Sequence, residues 1–271
     1  MQAPLACFEN MKFLLELSFV GSNYHGWQVQ QNAPSVQKTF QAACEKQIGP
    51  CKITGCSRTD AGVHARRFYC TVENDLLASI PPDSFPLAIA HRLPPDLSVK
   101  SARIVPDDFH PRYDAKAKEY EYLICTAFPS DPFFQGRSWM LLKKDTDGEE
   151  LARRMNEGAQ MLVGYHDFSS FCAAGGKVED KRRTVYYCRV KKQGQMVVLR
   201  ICADGFLYNM VRIITGTLYD YACGRITDLS SVLEARDRDA AGRTAPAEGL
   251  YLNRVFYREK ERLEAQEEDF Q

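Results

Sequence analysis

The densest run of chemistry-bearing side chains in this 271-residue chain is Ser57-Arg58-Thr59-Asp60-Ala61-Gly62-Val63-His64-Ala65. A carboxylate, a guanidinium and an imidazole stand within one short stretch. An Asp followed by a small residue and Gly is a common turn sequence, in which the carboxylate bonds its own backbone. The same carboxylate, carried on a loop between rigid strands, could act as a nucleophile or base. The residue types leave both readings open, with Arg58 and His64 favouring recognition chemistry.

A carboxylate in a pocket needs a cation to offset its lost hydration. From about Phe206 to Cys223 the pattern predicts a helix with Phe206, Met210, Ile213, Thr217 and Tyr221 on one apolar stripe and Arg212 well off it. An Arg on a solvated face fits that geometry equally well. Tyr120 and Tyr122 share one face of a predicted strand, which suits cross-strand packing as well as base stacking. Arg66-Arg67, Lys116, Lys118, Lys181-Arg182-Arg183 and Lys191-Lys192 form basic clusters that could track phosphates, with Trp27, Tyr24 and Tyr113 as candidate stackers. Gly175-Gly176-Lys177 lacks the spacing and the following hydroxyl residue of a phosphate-binding loop.

The elements that must position these groups repeat. Lys12 to Val20 reads as a strand, Ser35 as a helix N-cap, and Val36, Phe40, Ala43 and Ile48 as the buried side of that helix. Strands follow at Cys51–Ser57 and Arg67–Val72, then a helix near Asp83–His91 and a strand at Ser98–Val105. The second half reads as a strand near Lys118–Cys125 and a helix near Gly148–Val163. A hairpin of Thr184–Lys191 and Met196–Cys202 turns at Gln193-Gly194. The predicted helix carrying Arg212, a short helix near Leu229–Arg236 and a strand at Leu250–Tyr257 complete it. The order β-α-β-β-α-β, twice, predicts an α+β protein of two ferredoxin-like (split βαβ) halves with sheets side by side and a central cleft. The expected divisions are 1–110, 111–258 and a charged tail at 259–271 that reads as a solvated, frayed helix.

Composition narrows the classes. Lys plus Arg and Asp plus Glu both number 35, so the net charge is zero. Six acidic against two basic residues after Arg258 leave +4 on the preceding 258 residues, so an RNA site must be a local patch. None of the ten cysteines forms a C-x-x-C pair, which argues against a metal site and for packed thiols in a reducing compartment. No apolar run is long enough to span a bilayer and no signal peptide is evident, so the expectation is a cytoplasmic protein.

The run from Arg58 to His64 closely resembles the catalytic motif of the TruA family of pseudouridine synthases. Further blocks in the same order resemble that family: Gly21, Tyr24, Gly26-Trp27-Gln28, Gln30 and Ser35-Val36-Gln37; Asp108-Phe109-His110, Arg112 and Ala115; Asp167 to Phe171 with Arg183-Thr184; Phe206 to Arg212; and Ala247 to Leu252. Ser57 departs from the Gly most often found there, and the loop Cys172–Lys181 looks individual. The resemblance implies isomerisation of uridine to pseudouridine in the anticodon stem-loop of tRNA, with base flipping. Asp60 would be the catalytic carboxylate and Arg212 its partner. Tyr120 would lie over the target base, Arg58 would fill the gap or hold a phosphate, and His64 would support the substrate site. It also implies a homodimer. Because the reaction exchanges one glycosidic bond for another, with no redox change and no external group, no cofactor is expected. An RNA-binding module without catalysis is the alternative, since ferredoxin-like sheets also bind RNA.

Overall fold

In the computed structural model, described over residues 11–142, 146–176 and 178–268, the chain divides into two units between Ala115 and Lys116. Cys7, Lys177 and the last three residues of the tail lie outside the described residues.

Unit 1 begins with β1 (Lys12–Phe19), whose apolar residues are buried on both faces. Ser35 then accepts a bond from Lys38 N (3.3 Å) and starts α1 (Val36–Ile48). Its buried residues Val36, Phe40, Ala43, Cys44 and Ile48 recur at helical spacing. Gly49, at φ 76, stops it in a conformation that favours glycine. β2 (Lys52–Gly55), β3 (His64–Glu73), α2 (Phe85–Ala90) and β4 (Leu97–Ile104) follow. The strand order is β4-β1-β3-β2, antiparallel throughout. Phe13, Leu15, Leu17, Phe40, Phe68 and Phe85 are all fully buried in its core.

Unit 2 comprises β5 (Ala117–Cys125), β6 (Trp139–Met140), α3 (Gly148–Gln160), β7 (Gly164–Asp167), β8 (Arg182–Gln193), β9 (Met196–Ala203), α4 (Met210–Ala222), α5 (Leu229–Ala235), β10 (Leu250–Phe256) and α6 (Glu259–Glu267). The order β10-β5-β9-β8 is antiparallel, with β7 added beyond β8. β6 runs parallel to the end of β5, past the point where β10 stops pairing. Neither β6 nor β7 is apparent as a strand in the sequence, because each is too short to show a period. Gly194 (φ 54) makes the β8–β9 turn.

Two expectations are corrected. The Arg212 helix starts at Met210, four residues later than its pattern suggests, because Asn209 adopts a left-handed conformation (φ 59, ψ 10) that ends the preceding turn. The helix is also buried almost all round: besides Arg212, only Tyr219 and Tyr221 are not fully enclosed. Its second wall is the segment from Gly242 to Pro246. A Cβ on Gly216 would stand 1.8 Å from Arg243 O, so only glycine admits so close a crossing.

The described part of the charged tail, through Glu268, is docked, not frayed. Arg262 is 7% exposed and its guanidinium lies 4.1 Å from the Tyr186 ring centroid. Ala265 joins a buried cluster with Ala117, Tyr187, Cys202 and Phe256. Arg254 donates to Glu268 Oε2 (2.7 Å), and Arg189 donates to the carbonyls of Gln266 and Glu268. The anchoring side chain is an Arg lying along an aromatic face, which hydropathy does not register. Replacing Arg262 by Ala should lower the unfolding free energy by about 1–2 kcal/mol in a urea titration. A change under about 0.5 kcal/mol would mean that Arg262 is not what anchors the helix.

Candidate active site

In unit 1, β2 ends at Gly55 and β3 begins at His64, so Asp60 sits in the connection between them. The Asp60 carbonyl accepts from Val63 N (3.2 Å), and Gly62 carries φ 77 at the third position of this turn. With Ala61 at negative φ, that is a type II turn, which calls for glycine there. The turn is gripped from outside. Thr59 O accepts from Trp27 N (3.2 Å), and Tyr24 O accepts from Gly62 N (3.1 Å). His64 Nδ1 accepts from Gly21 N (2.8 Å). Cβ atoms on Gly21 and Gly26 would stand 2.0 Å from Val63 O and 2.2 Å from Thr59 O, and Gly26 also has φ 86. The grip explains why two glycines precede the loop by so many residues.

Side chains alternate around this turn. Arg58 and Ala61 are exposed, Asp60 is half-buried and Thr59 is buried. His64 is only 1% exposed. Its bond from Gly21 N fixes Nδ1 as an unprotonated acceptor and ties β3 to the gripping segment. The resemblance implied a substrate-site role for His64. Its observed bond ties it to the segment that grips the loop.

Two candidate stackers are core residues instead. Trp27 is 3% exposed and stacks on Phe68, with ring centroids 4.1 Å apart at 29°. Tyr24 is 7% exposed and donates to Asp96 Oδ1 (2.7 Å). Burial first, and then the Asp96 carboxylate, push its hydroxyl pKa up. Tyr113 is the exposed one, at 74%, lying against His110 with centroids 4.2 Å apart. Among the basic clusters, Arg66 and Arg67 are exposed on β3. Arg182 instead makes a two-pronged pair with Asp180 (2.9 Å at each prong), which holds that carboxyl down at about 2. Its charge is partly answered within the protein.

In unit 2, Tyr120 on β5 is 7% exposed and meets Phe206 edge-on, with centroids 4.9 Å apart at 83°. Phe206 precedes α4 and is therefore a wall for Tyr120, not part of a helical stripe. Tyr122, on the same face of the strand, is fully buried and donates to Pro246 O (2.7 Å). Burial raises its pKa, and the nearby Arg212 charge pulls partly against that rise.

Arg212 is half-buried, not on a solvated face. Its Nε donates to Ala245 O (2.8 Å), its Nη1 donates to Asn209 Oδ1 (2.8 Å), and its own carbonyl accepts from Ala245 N (3.0 Å). A guanidinium in the first turn of a helix opposes the positive end of the helix dipole. Acceptors from both sides make the position tenable, and together the dipole and the cation leave a site that attracts an anion. Asn209 and the Ala245-Pro246 strap have no role in the sequence reading. The one signal was an Asn three residues before an Arg.

Arg58 and Asp60 thus share one loop of unit 1, with His64 opening the strand that follows it, and Tyr120 and Arg212 belong to unit 2. Among the described residues, no group of three or more His, Cys, Asp or Glu is arranged to hold a metal ion. No helix among them is long and apolar enough to cross a membrane.

The model of a tRNA pseudouridine synthase family matches residues 17–114 and 159–258, both the Asp60 loop and the Arg212 helix included. The chain belongs to that family. Pseudouridine synthases are isomerases, and this chain is one. It is similar to proteins named tRNA pseudouridine synthase A in three bacteria. The Ruminiclostridium cellulolyticum protein is 41% identical over 251 residues, covering 91% of this chain and 99% of its own. That of Acetivibrio thermocellus is 42% identical over 253 residues, covering 92% and 99%. That of Bacillus subtilis is 39% identical over 252 residues, covering 91% and 99%.

The grip on the Asp60 loop makes a direct prediction for this pseudouridine synthase. Gly26→Ala should reduce uridine isomerisation at least tenfold, because an L side chain at φ 86 and 2.2 Å from Thr59 O must displace the loop. Single-turnover assays would check it. A rate within twofold of the parent would show that the loop is not set by this contact.

Proposed function

We propose that the chain converts uridine to pseudouridine in the anticodon stem-loop of tRNA, with Asp60 as the catalytic carboxylate and Arg212 as the cation that keeps it ionised. The reaction breaks the N1–C1′ bond, rotates the base and forms C5–C1′, with the C5 proton lost and N1 taking up a proton. Its electrons balance within the substrate, so the chain needs a charged group and a shaped site in place of a cofactor. The observation that carries the reading is the Asp60 turn: a half-buried carboxylate on a backbone loop fixed by Trp27 N, Tyr24 O and two close glycines. Such fixing keeps a nucleophile or base in reacting geometry without reorganisation.

The remaining roles follow from chemistry. A uridine inside a stem is reached by flipping it out. Tyr120, backed by Phe206, offers its ring to the flipped base, and exposed Arg58 fills the vacated space or binds the flanking phosphate. Arg212 brings a guanidinium with Nε and one N–H of Nη1 already bonded, so Nη2 and the second Nη1 N–H are the donors an anion would meet. An opposite charge held within a few ångströms favours the ionised carboxylate. The relatives act on tRNA by name, and we extend that substrate to this chain. We further infer that each unit is a split βαβ half of the ferredoxin-like kind, from its strand order, and that the enzyme works as a cytoplasmic homodimer.

The test uses tRNA transcripts labelled with tritium at uridine C5, whose release reports C5–C1′ bond formation, followed by mapping of the modified positions. Asp60→Asn should release tritium at less than about a hundredth of the parental rate. Its tRNA affinity should stay within about threefold, because phosphate contacts dominate binding. Activity above about a tenth of the parent would remove Asp60 from its role. Modification outside the anticodon stem-loop would correct the substrate site.

A further inference from the structure

Asn209 begins α4 in an unusual way. An N-cap residue ordinarily has extended backbone and turns its side-chain oxygen onto an N–H of the first turn. Asn209 does neither. Its backbone is left-handed (φ 59, ψ 10), and its side chain makes no cap bond. Among the described non-glycine residues only Arg236 shares a positive φ. Such backbone is unfavourable for an L residue, and Asn tolerates it better than most. The helix thus forgoes a cap and accepts strain at the same residue.

Both features have one result. The amide oxygen that would have capped the helix accepts from Arg212 Nη1 at 2.8 Å. Arg212 occupies the third helical position, where the dipole disfavours a cation and an acceptor on the preceding turn is worth most. The second acceptor, Ala245 O, comes from a fully buried residue and meets Nε at 2.8 Å. Two acceptors on different nitrogens of a planar fork fix its plane as well as its position. Ala245 itself is held by its own N–H to Arg212 O (3.0 Å), and the neighbouring Pro246 O by the Tyr122 hydroxyl (2.7 Å).

We infer that Asn209 is a positioning residue for the isomerisation: its left-handed backbone aims Oδ1 at Nη1 and sets the direction in which the Arg212 guanidinium faces its anion. This rests on the proposed part of Arg212 in turnover. Asn209 touches neither substrate nor reacting atoms in this account, and its effect passes through Arg212.

The experiment is single-turnover isomerisation of an unmodified tRNA transcript at saturating enzyme, with tRNA affinity and melting temperature measured on the same variants. Asn209→Gly keeps a backbone that accepts positive φ and removes only the amide. The rate should fall about tenfold or more, the scale of one hydrogen bond to a charged group. Affinity should stay within about twofold and melting within a few degrees. Asn209→Ala lacks the amide and adds strain, so it should melt lower yet lose the same rate where folded. A rate within twofold of the parent for Asn209→Gly, or a rate that follows melting temperature across the two variants, would overturn the inference. In an Arg212→Lys background, Asn209→Gly should add less than about threefold, and losses that multiply would overturn it too. If Arg212→Lys and Arg212→Ala both turned over at the parental rate, the role of Arg212 itself would fall. A crippled Arg212→Lys beside a normal Asn209→Gly would remove Asn209 alone.

Discussion

A guanidinium in the first turn of an α-helix works against the helix, and much of unit 2 is arranged around that conflict. The unpaired N–H groups of the first turn already carry positive partial charge, and an Arg added there needs acceptors that a helix does not supply. Here one comes from the residue before the helix and one from a strap lying along it. The strap can lie so close because Gly216 has no side chain, and it is tied down further by Gly242 N to Thr217 Oγ1 (2.9 Å). Removing the cation would make most of this unnecessary. The arrangement is therefore evidence that the charge is wanted where it stands, and its field points toward an anion.

Unit 1 meets the complementary difficulty. A carboxylate must be held still without being neutralised by its own neighbours, and a turn rich in small residues is soft. The solution is to fix the backbone of the loop. Thr59 O, Gly62 N and the Asp60–Val63 turn are all bonded through main-chain groups, and the His64 ring takes Gly21 N. In both units a glycine lets a second piece of backbone approach within contact of the functional segment. The price is conformational: Gly26 has to adopt φ 86.

These devices were unequally visible in the sequence. α1 could be read because its cap and its apolar spacing agree. The Asp60 loop was legible as a motif, yet its fixing was not, since Gly21 and Gly26 act across the long stretches of chain to Val63 and Thr59 by what they lack. Trp27 and Tyr24 were read as stackers because residue type does not say which way a ring points. Trp27 instead fills the space above Gly55 and Phe68. The start of α4 was misjudged because a helical period runs smoothly through Phe206, whereas one left-handed residue breaks the helix. The docked terminal helix escaped notice because its anchor is an arginine. In each case the missing information is a long-range contact or a backbone angle, neither of which leaves a period.

The two units share a strand order, β4-β1-β3-β2 in one and β10-β5-β9-β8 in the other, yet equivalent connections do different work. Between β8 and β9 the chain turns at Gly194, and the strands pair right up to it, from Gln193 to Met196. A turn that tight has no room to present a side chain to a substrate. Between β2 and β3 the pairing stops at Gly55, and the chain leaves the sheet until His64. Unpaired backbone must find other partners, and it finds them in Tyr24 and Trp27. Shortening one strand thus created both a loop able to carry Asp60 and the need for the contacts that hold it rigid. The same logic runs through the helices. α2 is a short helix with no charged residue, whereas α4, its counterpart by order, is twice as long and follows the left-handed Asn209, whose amide oxygen accepts from Arg212. One topology, with one strand shortened and one helix lengthened, supplies a fixed carboxylate on the first unit and a fixed cation on the second.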